Sequence, residues 1–127
     1  MSYILDTHTL LWFIENDNKP SSSAKSIIVN LQTPIYVSVV SIWEIVIKVN
    51  IGKFKISASI EKLLQFLDNQ AIEVLPLSNK HLSVYASLPL HHRDPFDRMI
   101  IVQDMEDNLV VLGTDTVFDK YAVKRKW

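Results

Sequence analysis

Tyr3-Ile4-Leu5-Asp6 near the start of the chain and Leu109-Val110-Val111-Leu112-Gly113-Thr114-Asp115 near its end are the stretches that decide the fold. Both are short apolar runs with little in-out alternation, and an acid follows each. Runs of that kind suit strands covered on both faces, as in a parallel sheet. Ile35-Tyr36-Val37 and Ile72-Glu73-Val74-Leu75 read the same way. Helical stretches fill the intervals. Leu10, Leu11, Phe13 and Ile14 form one, stopped by the polar run Glu15-Asn16-Asp17-Asn18-Lys19-Pro20. Ser21-Ser22-Ser23 caps a second, carrying Ala24, Ile27, Ile28 and Leu31 up to Pro34. From about Val40 to Gly52, Ile42, Ile45, Val46 and Val49 recur at helical spacing, and Ile60, Leu63, Leu64 and Leu67 follow. Leu82, Tyr85 and Ala86 mark a short helix, and Asp94-Pro95 opens another through Met99, Ile100 and Val102. Strands alternating with helices give an α/β fold, expected as a three-layer α/β/α sandwich with a central, mainly parallel sheet in one domain over residues 1–127.

Composition removes several function classes. With 48% hydrophobic and 21% charged residues the 127-residue chain can build a core. Thirteen Lys+Arg against fourteen Asp+Glu leave a formal charge of -1, so there is no global basicity of a histone-like kind. Cys is absent, which excludes disulfides, thiolate metal sites and Cys nucleophiles and fits a reducing cytoplasm. Two glycines, Gly52 and Gly113, cannot make a glycine-rich phosphate loop. The N-terminus lacks a basic segment and meets Asp6 at once, unlike a signal peptide, and no apolar stretch reaches the roughly 20 residues of a membrane span. A soluble, cytoplasmic protein is expected.

Parallel topology puts every strand C-terminus on one edge, where open α/β sheets place their ligands. Asp6, Glu44, Asp94, Asp97 and Asp115 therefore converge on one rim. Each also has a purely structural role open to it. Asp6 and Asp115 read individually as helix caps, and Asp94 before Pro95 reads as a cap more than as a ligand. Asp97 suits the first-turn dipole, and Glu44 can pair with Lys48 at i,i+4. Together, crowded carboxylates raise one another's pKa unless a cation intervenes, and an all-oxygen donor set suits Mg²⁺ or Mn²⁺. Two such ions roughly 4 Å apart support phosphodiester hydrolysis.

The motifs resemble those of PIN-domain ribonucleases, and most closely VapC-type toxins of prokaryotic toxin–antitoxin pairs. The resemblance rests on Ile4-Leu5-Asp6-Thr7-His8-Thr9-Leu10-Leu11-Trp12, on Ser41-Ile42-Trp43-Glu44-Ile45-Val46-Ile47-Lys48, on Leu88-Pro89-Leu90-His91-His92-Arg93-Asp94-Pro95-Phe96-Asp97-Arg98, and on Gly113-Thr114-Asp115. It implies metal-binding, catalytic acids at Asp6, Glu44 and Asp97 with Asp115 as the fourth, and a hydroxyl at Thr114 beside the last. It also implies Mg²⁺-dependent endonucleolytic cleavage of RNA, inhibition by a cognate antitoxin, and a homodimer. Two departures stand out: Val102 and Asp104 where relatives often carry small residues, and His8 where many have Ser or Asn.

Thr7, His8, Asp94, Arg93, Arg98 and Thr114 complete the candidate set, as groups that orient the acids or touch substrate. Arg93 and Arg98 read equally as RNA-phosphate contacts and as ion pairs with Asp94 or Asp97. Only His91 and His92 are adjacent among four histidines, so zinc is not expected. The basic tail Lys120–Trp127, with Tyr121 and Trp127 as stacking candidates, reads slightly better as a solvated end than as an RNA track. Trp12, Phe13 and Trp43 read as core or dimer residues. A phosphatase or phosphoacceptor domain is the rival enzyme, but His8 stands where a haloacid-dehalogenase-like enzyme wants its second Asp, and no Lys follows the last strand. A non-catalytic binding module, with acids serving only as caps and as a dock for a basic partner, is the third reading.

Overall fold

A computed structural model describes residues 1–16 and 18–127; Asp17, in the polar run that was expected to stop the first helix, lies outside them. In chain order the elements are β1 (Tyr3–Leu5), α1 (Thr7–Ile14), α2 (Ser22–Val29), β2 (Ile35–Ser38), α3 (Val39–Asn50), α4 (Ile60–Asn69), β3 (Ile72–Leu75), α5 (Asn79–Ser87), α6 (Pro95–Asp107), β4 (Val110–Leu112), a 3₁₀ turn (Thr116–Lys120) and β5 (Arg125–Lys126). Among the described residues the strands form one sheet in the order β3-β2-β1-β4-β5, every pair parallel. The expected α/β class and its covered parallel sheet are what the structure has.

Register explains how apolar runs become two cores. Tyr3 pairs with Ile35 and Val110, and Leu5 with Val37 and Leu112. These rows point to one face, where Leu10, Ala24, Ile28, Ile45, Leu63 and Leu67 cover them. Ile4 pairs with Tyr36 and Val111 on the opposite face, under Met99, Ile100, Ile101, Val102 and Phe118. The alternation is present, but both faces are apolar, which is why the sequence shows continuous runs. The same burial hides the period of α6, where Arg98 through Asp104 are all buried; a helix enclosed on all sides has no polar stripe.

The C-terminal tail corrects an expectation. It is not a solvated end: Arg125 and Lys126 pair with Val111 and Leu112 as an edge strand, and Trp127 packs against the first core. Tyr121 is buried in the second core, so it is not available to stack on a base. No helix of the described residues is long and apolar enough to cross a membrane.

The sheet order reverses between β1 and β4, the switch point at which open α/β sheets leave a crevice beyond their strand ends. Asp6 stands there. Its backbone N–H donates to Leu112 O at 3.2 Å, which holds the end of β1 beside Gly113.

Candidate active site at the sheet edge

Four segments bring their acids to this edge. Asp6 is buried at the start of α1, and its Oδ1 accepts the Thr9 amide at 2.8 Å, so one carboxylate oxygen caps the helix. The other is wedged against the chain: a Cβ on Gly113 would lie 2.5 Å from Asp6 Oδ2. Asp115 caps the 3₁₀ turn through the Val117 amide at 2.9 Å and is exposed beside Thr114, which is exposed too. Asp94 caps α6, its Oδ1 accepting the amides of Phe96 at 2.9 Å and Asp97 at 3.0 Å. The capping roles open to these three residues are all realised, each through one oxygen.

Glu44 is 3% exposed on α3 and both its oxygens are engaged. Thr7 donates its hydroxyl to Oε1 at 2.7 Å and lies 3.1 Å from Ser41 Oγ. Lys48 Nζ stands 2.7 Å from Oε2, the i,i+4 pair expected from spacing. Thr7 is thus a positioning group for Glu44, on a helix brought alongside α3 by the β1–β2 pairing.

Asp97 joins these acids electrostatically. Burial pushes its carboxyl up to about 7, and the charges of Asp94, Asp6, Glu44 and Asp115 push it the same way. One carboxyl therefore feels four others, three of them from distant parts of the chain. Asp6 is raised as well, chiefly by burial, against the lowering effect of its Thr9 cap. Acids that raise one another's pKa make an edge that attracts a cation. Among the described residues, however, no three histidine or acidic side chains are grouped so that they could hold one metal ion as they stand. The reason is visible at Glu44 and Asp6, whose oxygens are turned to an ammonium and to a cap amide. The donor chemistry fits a hard divalent cation; side-chain rotation away from these partners is needed to close around it.

Two residues near the acids were not assigned a part in the site from sequence. His92 Nε2 is buried without a hydrogen-bond partner, 3.7 Å from Asp97 Oδ2. Its Nδ1 is 2.8 Å from Tyr121 Oη, and burial lowers its pKa, which keeps the ring neutral. Arg125 donates to Gly113 O at 3.0 Å and pairs with Asp119 at 2.9 Å, tying β5 to the loop before Asp115. Neither placement is readable before β5 and the Tyr121 turn are known.

Arg98 is a correction. It neither faces an RNA phosphate nor pairs with Asp94 or Asp97. Its guanidinium is buried and donates to Pro89 O at 2.9 Å, Leu88 O at 3.3 Å, His92 O at 3.4 Å and Tyr121 Oη at 3.1 Å, over the Tyr85 ring. It ties residues 88–92 to α6. Arg98→Leu leaves the two buried acceptors, the Leu88 carbonyl and the Tyr121 hydroxyl, unmatched, at roughly 1–3 kcal/mol each, so a loss of about 3 kcal/mol is expected. Thermal denaturation of this variant should show that loss. Arg93 is exposed on the same loop, and His8 is exposed next to Thr7. Trp43 is 59% exposed, edge-on to Phe96 with ring centroids 5.5 Å apart, so it is not a core residue.

Comparison with known proteins fits this architecture. A chain of VapBC2 from Rickettsia felis, bound to a DNA fragment from their promoter, superposes with a TM-score of 0.72 at 17% identity, covering 99% of this chain and 98% of that one. A chain of DNA-bound VapBC from Salmonella typhimurium gives 0.72 at 18% identity, with 99% and 97% covered. One of FitAcB from Neisseria gonorrhoeae gives 0.65 at 16% identity, with 97% and 95% covered. No curated protein matches the chain in sequence. The family model of the PIN domain matches residues 3–124, nearly the whole length, and the chain belongs to the PIN domain family.

Proposed function

We propose that this protein is a Mg²⁺-dependent endoribonuclease, and that it is the toxin of a toxin–antitoxin pair. The observation that carries the reading is Asp97, whose carboxyl is raised first by burial and then further by the charges of Asp94, Asp6, Glu44 and Asp115. Capping and dipole roles explain each acid singly; they give no reason to gather five at one sheet edge against their mutual repulsion. Asp6, Glu44 and Asp97, with Asp115, would hold Mg²⁺ or Mn²⁺. Bound there, such an ion would supply an activated water and charge neutralisation at the leaving oxygen. The chain's own residues have defined parts. Thr7 aims Glu44, the Thr9 amide and Gly113 fix Asp6, and Asp94 fixes the first turn of α6 and so Asp97. The N-termini of α1 and α6 present a positive dipole end to a phosphodiester.

The toxin assignment is supported by structural neighbours drawn from VapBC and FitAB complexes. An antitoxin and a second copy of the chain are the partners it implies.

The test is incubation of the purified protein with single-stranded RNA in Mg²⁺, in Mn²⁺ and in EDTA, beside an Asp6→Asn variant. Cleavage by the wild type in either metal alone is expected. Equal cleavage by the variant, or cleavage in EDTA, would overturn the assignment. The realised caps and the Glu44–Lys48 pair favour one other reading, a non-catalytic module. Calorimetry with Mg²⁺ separates the two, since a module whose acids only cap helices gives no binding heat.

A further inference from the structure

A row of aromatic rings and lysines runs from the acidic edge along α1; Phe54 and Trp127 rest one side on the first core, while His8 and Trp12 belong to neither core. His8 and Trp12 are one turn apart on that helix, with ring centroids 6.1 Å apart. Phe54, from the loop after α3, stands edge-on to His8 at 6.4 Å, and Trp127 stands edge-on to Trp12 at 5.7 Å. His8 is exposed, and Trp12, Phe54 and Trp127 are half-buried. Between Trp12 and Phe54 lies an open cavity of about 220 Å³ lined also by Leu11, Lys53, Lys55 and, at the end of α1 remote from Asp6, Glu15.

Lys48 joins this row to the acids. The same ammonium that stands 2.7 Å from Glu44 Oε2 lies 5.1 Å from the centroid of the Phe54 ring. Lys19 sits over Trp12 at 5.4 Å. Lys53 and Lys55 are exposed. The chemistry is two-fold: half-buried rings bordering an open cavity, and cations set among them beside an acidic edge. Single-stranded nucleic acid offers the complement, bases that stack on any aromatic face and phosphates that seek ammonium groups. A folded acidic protein would match the lysines, but rings from three segments, two of them on successive turns of α1, set around one open cavity suit flat bases better.

We propose that His8, Trp12 and Phe54, with Lys53 and Lys55, form a stacking subsite that holds the single-stranded RNA substrate beside its cleavage point. The identity of the ligand rests on the proposed ribonuclease activity. The subsite itself is read without cleavage: binding of a short fluorescein-labelled single-stranded RNA in EDTA, followed by anisotropy. Phe54→Leu keeps apolar bulk and removes the ring, and Phe54→Ala removes both. Each is expected to weaken binding roughly tenfold or more, the scale of one lost base stack, with far-ultraviolet circular dichroism unchanged. Lys53→Gln with Lys55→Gln is expected to flatten the salt dependence of binding. Wild-type affinity in both Phe54 variants would overturn the proposal. So would a dimer in sedimentation that Phe54→Ala converts to monomer, since the surface would then be covered by a second copy. Cleavage of the same RNA in Mg²⁺ keeps the two readings apart. Cleavage that needs Asp6, with binding indifferent to Phe54, removes only the subsite. Binding that needs Phe54, with no cleavage in Mg²⁺, removes only the nuclease.

Discussion

Asp97→Asn is expected to abolish metal-dependent RNA cleavage and, in EDTA near pH 8, to make the protein more stable than the wild type. The two effects come from one cause. Removing a group that merely orients a metal ligand costs about 10–100-fold, so loss of a ligand itself should exceed a hundredfold. The stability change has two opposed parts. A negative charge in the first turn of α6 favours the helix dipole by about 0.3–1 kcal/mol. Against it stands the raised pKa: the carboxyl goes from an ordinary 3.8 to about 7 on folding, at about 1.4 kcal/mol per pH unit. Even halved for the side chain's partial exposure, that penalty is on the order of 2 kcal/mol and outweighs the dipole.

The pH dependence has a definite sign. Between about pH 4 and 7 the folded wild type keeps a proton on Asp97 that the unfolded chain has lost. Its stability therefore falls as pH rises through that window and levels off above it. Asp104 behaves alike for another reason. It is 4% exposed, its Oδ2 has no hydrogen-bond partner, and burial pushes it up to about 7 with no acid among the causes. Mg²⁺ should cancel the Asp97 part of the decline, because a cation beside the carboxylate offsets both its burial and the repulsion of its neighbours, and leave the Asp104 part. Melting temperatures across pH 4–8, with EDTA and with Mg²⁺, read both parts. An Asp97→Asn protein less stable than wild type in EDTA would assign Asp97 to the helix dipole alone, and a wild-type decline untouched by Mg²⁺ would deny the site its cation.

The acids were legible in the sequence because topology needs little detail. Once Tyr3-Ile4-Leu5 and Val110-Val111-Leu112 are parallel neighbours, Asp6 and Asp115 must share an edge, and a crossover helix brings Glu44 and Asp97 back to it. What surrounds the acids was less legible, because it depends on contacts between elements. Arg98 follows Asp97 directly, yet α6 turns it about 100° away, into the 88–92 loop. Arg125 and Trp127 gain their places only when two residues add an edge strand to β4, too short a pairing to leave a pattern. Trp12 and Phe54 are 42 positions apart, and nothing but the packing of the loop after α3 against α1 shows that they share a cavity.

Gly113→Ala is the second large effect, and it follows from the same edge. Gly113 needs no left-handed backbone, so alanine brings no strain of its own; the conflict is with Asp6 alone. The added Cβ would fall 2.5 Å from Oδ2 and 2.8 Å from Cγ of a buried carboxylate already tied to the Thr9 amide. Gly113 is itself pinned, its amide donating to Lys126 O at 3.1 Å and its carbonyl accepting from Arg125. The Asp6 side chain must therefore swing away and lose its cap, at about 1 kcal/mol. Moving a catalytic group by about 1 Å costs on the order of a hundredfold in rate, so cleavage by Gly113→Ala should fall at least that far, with a melting point several degrees lower. Asp6→Ala isolates the contact. It opens the space that the new methyl would fill, so adding Gly113→Ala to it should cost almost nothing further in stability. That non-additivity is the signature of a direct clash. A Gly113→Ala protein that cleaves RNA as fast as the wild type would mean that Asp6 can serve the proposed reaction from another rotamer, and the placement of Asp6 between Gly113 and the α1 cap would lose its mechanistic meaning.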